Sequence, residues 1–554
     1  MNVKKTAGLI RVMAVVTAMS GLFVFPHFAE ATSPQLAPVT RTDIRSDIPE
    51  FEELFRLIRQ TLSYNKVTFQ GKTGMVSGFA AGSAYPQIWL RDSATIITAS
   101  RLFYEAPYLR SWLEEHLAFQ KSDGSLADWV DSRGTSDKNT TETDQETNAV
   151  RSAAQIARIL GKDWLEKRIA GETVLSRLSK ALQFVLSRRF DKTHGLVTGA
   201  HTADWGDVDM DIPDQKAIYV GPKTHWTCDI YDQAQFYGAA QELAEMSENC
   251  GLADKARFWN EQAGEIRKNA ERWLWQEARG FYRVHIHLDS LRHDFDEDGM
   301  FAMGGNAEAV ISGLASGEKA KKIFENAQAR QKTYGFSTIS GSLLPPYPKG
   351  IFKHPMMDDP YEYQNGGQWD WFGAKLVYAM FERGFSRTAR QKLLEIAKKG
   401  AANKGLYEWD TPSGQGQGSA FYSGSAGSLA LALFEGYFGL RISKDSLQLS
   451  PRLSDGRASV QVLIPAAGVY AAYNYAWDSI KKTLVFRFRS NLKNRDEVKI
   501  LLPPDLAGGI STGKSESLKV NLDGAKIPFR FETSNEDTYL VITADVSSHI
   551  LEIK

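Results

Sequence analysis

The 554-residue chain has little cysteine and no surplus of either charge: two Cys, and 66 Lys and Arg against 66 Asp and Glu. A formal charge of zero gives no electrostatic footprint for a polyanion, so nucleic acid is not an expected partner. The two cysteines, Cys228 and Cys250, are separated by DIYDQAQFYGAAQELAEMSEN, which reads as one helix. At about 1.5 Å per residue their Cα atoms stand roughly 30 Å apart, beyond disulfide reach, so two free thiols are expected. There is no Ser nucleophile elbow and no Gly-rich phosphate loop opening a βα unit, which argues against esterases and nucleotide enzymes. Beyond the first 31 residues no apolar run is long enough to span a bilayer.

Those first residues read as a secretory signal. Lys4, Lys5 and Arg11 precede VMAVVTAMSGLFVF, and Ala29-Glu30-Ala31 is a small-x-small cleavage site. No Cys follows to carry a lipid. The expectation is cleavage after Ala31 and an exported protein, periplasmic or secreted, with no integral membrane segment once the signal is removed.

From about 50 to 440 the pattern is helical. Helices are expected at 51–65, 87–104, 107–120, 145–161, 163–189, 225–248, 251–277, 305–314, 317–331, 367–384, 386–402 and 419–438. Some, such as ADKARFWNEQAGEIRKNAERWLW, carry one apolar stripe, whereas GSAGSLALALFEGYFGL is apolar all round. Helices buried on every side alternating with helices buried on one side imply two concentric layers. Six hairpins closing into an (α/α)6 toroid satisfy both the count and the alternation. After Leu440 short β-branched runs such as TLVFRFRS and TYLVITADV replace the helices, the pattern of an antiparallel β-sandwich. The expected organisation is therefore signal 1–31, toroid 32–440 and sandwich 441–554.

The gaps between helices hold the chemistry. YPQIWLRDSATI places Trp89, Arg91 and Asp92 at a helix start, where Arg and Asp can fork hydrogen bonds onto sugar hydroxyls beneath an indole face. A plain N-terminal acid with a local salt bridge is the blander account. TETDQETNAV adds Asp144 and Glu146, although Asp144 could simply cap its helix. TADWGDVDMDIPD sets Asp204, Asp207, Asp209, Asp211 and Asp214 around Trp205. An EF-hand is rejected there because Ile212 and Ile218 stand where Gly and Glu belong. A carboxyl desolvated against an indole, with like charges near it, suits a general acid instead. Asp294 to Gly299 comes closer to a calcium loop, but Gly305 stands where its bidentate Glu should be. His285, His287 and His293 lack a spaced fourth ligand for zinc and read as surface histidines. DDPYEYQNGGQWDWFGAKL supplies Gln364 and Asn365 as amides and Trp369 and Trp371 as ring faces. GLYEWDTPSGQGQGSAFYSGSAG frames Glu408 between Tyr407 and Trp409, followed by closely spaced glycines. Seven of the 13 tryptophans, at 89, 129, 205, 226, 369, 371 and 409, fall in or beside these gaps. Indoles, amides and separated carboxylates together point to carbohydrate.

With these motifs the chain resembles the six-hairpin glycosidases: glucoamylase-type, trehalase and processing α-glucosidase families, with disaccharide phosphorylases as cousins. WLRDSA is similar to the segment that binds the non-reducing sugar in the glucoamylase group and to the MWLRDS of bacterial exo-α-mannosidases. DWGD resembles the D-W-N-D of the phosphorylases, whose second Asp donates the proton, which would make Asp207 the acid. In the trehalase and α-glucosidase groups the acid follows a G-W-D pattern, so Asp204 competes with it. YEWDTPSGQGQG resembles the segment whose Glu activates water in the inverting hydrolases. The resemblance implies an inverting hydrolase of α-glucosides, with Asp207 as acid and Glu408 as base. Trp89, Arg91, Asp92, Asp144, Glu146, Asp204, Trp205, Gln364, Asn365, Trp369 and Trp409 would bind the sugar. No metal or organic cofactor is required. The rival readings are a disaccharide phosphorylase, an α-mannosidase, a polysaccharide lyase on the same fold, and a non-catalytic carbohydrate-binding protein.

Overall fold

The computed structural model describes residues 39–137, 144–511 and 518–554. The expected signal at 1–31 lies outside them. Val39–Lys554 forms one unit, and no helix among the described residues is long and apolar enough to cross a membrane.

Twelve helices of eight residues or more precede Phe438 among the described residues. They are α1 (Pro49–Tyr64), α2 (Leu90–Ser100), α3 (Ala106–Ala118), α4 (Asp144–Leu160), α5 (Val174–Arg188), α6 (Ile230–Asn249), α7 (Ala253–Trp273), α8 (Met303–Ile311), α9 (Glu318–Thr333), α10 (Asp370–Glu382), α11 (Ser386–Asn403) and α12 (Ser423–Ala430). The last continues as a π-helical turn over Leu431–Tyr437. Local chemistry sets several starts. Pro49 supplies a pre-set φ at the first position of α1, and the side chains of Thr173 and Asp229 accept the N–H groups of Ser176 and Asp232 at the starts of α5 and α6.

The even-numbered helices pack in a closed ring: α2 on α4, α4 on α6, α6 on α8, α8 on α10, α10 on α12, and α12 back on α2. The odd-numbered helices lie against them, as α3 does on α2 and α4, and α11 on α10. Burial follows the same division. In α2 every residue but Arg91 is buried, and in α8 all but Ile311. In α7 only Ala256, Trp259, Ala263, Ile266 and Ala270 are buried, one stripe at helical spacing.

Several expected helices shorten because β-hairpins interrupt them. The segment 163–189 breaks into Asp163–Glu166, a tight hairpin pairing Arg168–Ile169 with Glu172–Thr173, and α5, because Ala170 and Gly171 both take positive φ. Trp226–Asp229 and Gly416–Ala420 are strands rather than helix starts. A hairpin of Lys66–Gly71 and Gly74–Phe79, whose turn donates the Lys72 and Thr73 N–H groups to Glu115, was not legible in the sequence.

Beyond Leu440 the chain forms two sheets. One runs in the order Asp43–Ser46, Arg457–Ile464, Val469–Asp478, Thr483–Ser490, Ser548–Ile553, Val520–Leu522, Ala525–Lys526, antiparallel throughout. The other runs Leu440–Ile442, Leu447–Leu449, Arg495–Leu501, Asp537–Asp545, Arg530–Ser534. Two expectations change here. The pairing of Leu447–Leu449 with Arg495–Leu501 is parallel, and a strand from the N-terminal end, Asp43–Ser46, belongs to the first sheet. The sheets are fastened to the helices by polar contacts: Ser386 Oγ donates to Asp537 at 2.6 Å, Arg452 pairs with the partly exposed Glu382 at 2.8 Å, and Tyr473 Oη donates to the Phe438 carbonyl at 2.9 Å. Cys228 and Cys250 are free thiols, as expected.

Candidate active site

At one end of the helical ring the linking segments enclose a cavity. It is lined by Ala81, Tyr85, Trp89, Arg91, Asp92, Asp128, Gln145, Trp205, Asp207, Tyr363, Gln364, Trp369, Trp371, Glu408 and Tyr422. A larger groove between Asp43–Ser46 and α1 is lined by charges that neutralise one another, Arg41 with Asp43, Arg45 with Glu52 and Arg56 with Glu53, and offers no comparable chemistry.

Glu408 sits on the hairpin Tyr407–Asp410/Gly416–Ala420, whose register shifts between Tyr407 and Trp409. Its side chain is 5% exposed. One carboxyl oxygen accepts the Tyr85 hydroxyl at 2.7 Å and the other the Ser419 N–H at 2.9 Å. Burial raises its pKa from 4.5 to about 7; these two hydrogen bonds oppose the rise, and the charges of Asp92 and Asp207 add to it. Gly418 must be glycine: its φ is +66°, and a Cβ there would lie 2.6 Å from Glu408 Oε2. The hairpin is held from behind. Lys399 on α11 donates to Asp410 and, at 2.9 Å, to Asp370 at the start of α10; Gln368 exchanges two backbone hydrogen bonds with Asp410, each of 2.8 Å.

Asp207 opens into the cavity, and its backbone N–H faces Gln364 Oε1 at 3.4 Å. Asp204 does not open there. It is buried, at a φ of +57°, and its two oxygens accept the N–H groups of Gly304 and Gly305 at 2.5 and 2.9 Å, capping α8. Burial raises its pKa to about 7 in spite of those bonds. This separates the two candidate acids: Asp207 faces the cavity, while Asp204 is spent on the helix terminus.

Asp92 accepts the Tyr422 hydroxyl at 2.9 Å, and burial lifts its pKa to about 6 against the pull of Arg91. Arg91 is fixed by Asp144, which lies 2.7 Å from its Nε and also accepts the Tyr231 hydroxyl at 2.9 Å. The Trp369 indole N–H is anchored on the Tyr363 carbonyl and that of Trp371 on Thr95, whereas the Trp89 indole N–H has no partner among the described residues.

Five expected sugar-binding residues therefore act elsewhere. Asp144 and Asp204 are buried supports. Glu146 accepts the Leu126 N–H at 2.8 Å within the core. Asn365 is fully buried and exchanges hydrogen bonds with the backbone of Tyr347, at 2.8 and 3.2 Å. Trp409 is half-buried and lies outside the cavity lining, its ring filling the space beside Gly367 and Gly418. The remaining eight, Asp207, Glu408, Trp89, Arg91, Asp92, Trp205, Gln364 and Trp369, share the one cavity. Tyr85, Asp128, Gln145, Tyr363 and Tyr422 were missed. Nothing marks a lone Tyr in a loop, and only the left-handed backbone of Tyr363, at φ +44°, sets one of them apart.

Comparison with curated proteins finds no match. Among solved structures, the α-L-rhamnosidase from Dictyoglumus thermophilum superposes with a TM-score of 0.62 at 12% identity, over 93% of this chain and 50% of that one. The GH78 rhamnosidase of a Bacillus species gives 0.59 at 15%, over 84% and 43%. The chain thus spans about half the length of these rhamnosidases. The GH63 mannosylglycerate hydrolase from Thermus thermophilus, in complex with glucose, gives 0.51 at 18%, over 69% of this chain and 99% of that one. Residues 85–423, the stretch that holds all the cavity residues but Ala81, match the model of the mannosylglycerate hydrolase MGH1-like glycoside hydrolase domain, and the chain belongs to that family, a glycoside hydrolase of the six-hairpin superfamily.

Proposed function

We propose that the protein is an exported, inverting hydrolase that removes a terminal α-linked glucosyl residue from a small glycoside. One observation carries this reading: Asp207 and Glu408 open into the same aromatic cavity, and each is held by different loops. Asp207 donates its proton to the glycosidic oxygen as the bond to C1 breaks. Glu408, oriented by Tyr85 and Ser419, takes a proton from a water that attacks C1 from the opposite face. The two carboxyl groups are expected about 6.5–9.5 Å apart, leaving room for that water. Arg91 and Asp92 would bind sugar hydroxyls, and Trp89, Trp205, Trp369 and Trp371 would form the walls. Neither a metal nor an organic cofactor enters these steps.

The closed ring of helices supports an (α/α)6 toroid as the catalytic domain, and the two C-terminal sheets support a sandwich beside it. Strand Leu440–Ile442 of one sheet packs on Val469–Asp478 of the other. Export rests on the pattern of residues 1–31, with the mature protein periplasmic or secreted. A manno-configured substrate is the second reading, favoured by the description of the matching family.

The test is turnover on a panel of α- and β-linked glucosides and mannosides, mannosylglycerate among them, with the released anomer followed by proton NMR with and without phosphate. Phosphate-independent release of an inverted sugar, lost in Glu408→Gln and Asp207→Asn, is expected. Strict phosphate dependence would move the protein to the phosphorylases. Undiminished cleavage by Glu408→Gln would remove Glu408 from the chemistry.

A further inference from the structure

The histidines expected at the surface are instead gathered inside. His201 and His285 have fully buried side chains, and those of His287 and His293 are 12% and 6% exposed. They surround a single carboxylate, Glu297. His287 Nε2 lies 2.7 Å from Glu297 Oε2, and the Nε2 atoms of His201 and His293 lie 3.2 and 3.5 Å from Oε1. His201 Nε2 and His293 Nε2 face each other at 3.0 Å. The Nδ1 atoms of His201 and His287 are buried and make no hydrogen bond among the described residues, so both rings turn their polar contacts inward through Nε2.

Hydrogen bonds account for single pairs here, since one Nε2 of the His201–His293 pair can donate to the other's lone pair at 3.0 Å and Glu297 Oε1 accepts the Tyr347 hydroxyl at 2.6 Å. What singles the cluster out is that three imidazoles from separate segments converge on one largely buried carboxylate, the donor set of a cation site. One ligand atom from each of His201, His287, His293 and Glu297 lies within 4.8 Å of all the others. A tetrahedral site with bonds of about 2.0–2.1 Å has ligand-to-ligand edges of about 3.3–3.4 Å. The three edges among His201 Nε2, His293 Nε2 and Glu297 Oε1, of 3.0, 3.2 and 3.5 Å, lie close to that value, while His287 Nε2 approaches the other oxygen, Oε2, at 2.7 Å.

We propose that His201, His287, His293 and Glu297 bind a divalent transition metal of the zinc class. Three imidazoles and one carboxylate suit zinc and do not suit calcium or magnesium, which take oxygen ligands. With four protein ligands the site is closed, and its role is structural. Tyr347 donates to the carboxylate and fixes its orientation.

The ligands come from segments that also build the cavity. His201 follows strand Gly199–Ala200 and leads into Asp204 and Asp207; His287 ends strand His285–His287, which pairs with Trp226–Asp229. Glu297 precedes α8, the helix that Asp204 caps, and Tyr347 is hydrogen-bonded to Asn365, next to Gln364. The metal would therefore staple together the loops that present Asp207 and Gln364.

The experiment is elemental analysis of the purified full chain, followed by chelation, dialysis against Co²⁺ or Zn²⁺, and thermal melts. One metal per chain, a fall in melting temperature on chelation reversed by Zn²⁺, and a tetrahedral Co²⁺ visible spectrum are expected. His287→Ala and Glu297→Gln should lose the metal, Tyr347→Phe should bind it about 10–100-fold more weakly, and His194→Ala, remote from the cluster, should retain it. If a variant does not fold, the wild-type chelation and Co²⁺ readings decide. A wild-type chain that takes up neither ion, or folded His287→Ala and Glu297→Gln that keep full metal, would overturn the site. None of these readings depends on turnover, so they stand apart from the substrate assignment.

Discussion

Replacing Tyr85 with Phe removes one hydroxyl, the 2.7 Å donor to Glu408 Oε1, and leaves the ring in the cavity wall. That bond lowers the pKa of a carboxyl that burial has raised to about 7. A hydrogen bond to a charged group contributes about 1.5–3 kcal/mol, and 1.36 kcal/mol corresponds to one pKa unit, so its loss lifts Glu408 by roughly 1–2 units. A base works ionised, so the acidic limb of the kcat/KM profile moves the same way, from about pH 7 to about pH 8 or above. Near pH 6 the ionised fraction then falls about tenfold below its already small value. The assay is kcat/KM from pH 4 to pH 10 on the best substrate of the panel, with reducing sugar as the readout. A uniform loss at all pH values would mean that Tyr85 only touches the sugar. An acidic limb that stays in place or moves down would refute Glu408 as the base.

Two further outcomes follow from the same carboxyl. Because its pKa is raised from 4.5 to about 7 in the fold, the unfolded chain releases this proton first, and stability is lost as the pH rises through that window. Glu408→Gln should therefore raise the melting temperature more at pH 8 than at pH 4, by an amount corresponding to roughly 3 kcal/mol at most, while abolishing turnover; an equal gain at both pH values would contradict the shift. Gly418→Ala forces a Cβ against Glu408 Oε2 in a left-handed backbone that costs about 1–2 kcal/mol; kcat should fall at least about tenfold, and wild-type kinetics would mean that the hairpin relaxes freely.

Sequence pattern carried the helical part of the fold because the two burial classes have different periodicities, visible in α7 against α2. It brought Asp207 and Glu408 to one cavity because each lies within two residues of an indole outside the helices. It failed where a partner lies far along the chain. Asp204 looks like a second acid until the N–H groups of Gly304 and Gly305 are seen against it. Asn365 looks like a sugar ligand until it is found bridging to Tyr347. The histidines near 290 read as surface residues because His201 and Glu297, the other members of the proposed site, lie outside their local pattern. The parallel pairing of Leu447–Leu449 and the N-terminal strand in the sheet leave no local mark, since register between remote segments is not written in either segment alone.

The strand Asp43–Ser46 has a consequence for how the protein is made. Its partner, Arg457–Ile464, is synthesised more than 400 residues later, so the edge must wait unpaired while all twelve helices are produced. A chain cut after the last helix would keep every cavity residue yet leave that edge open to its neighbours. The closing of the molecule is thus a late event, with the first strand completing the sheet made last.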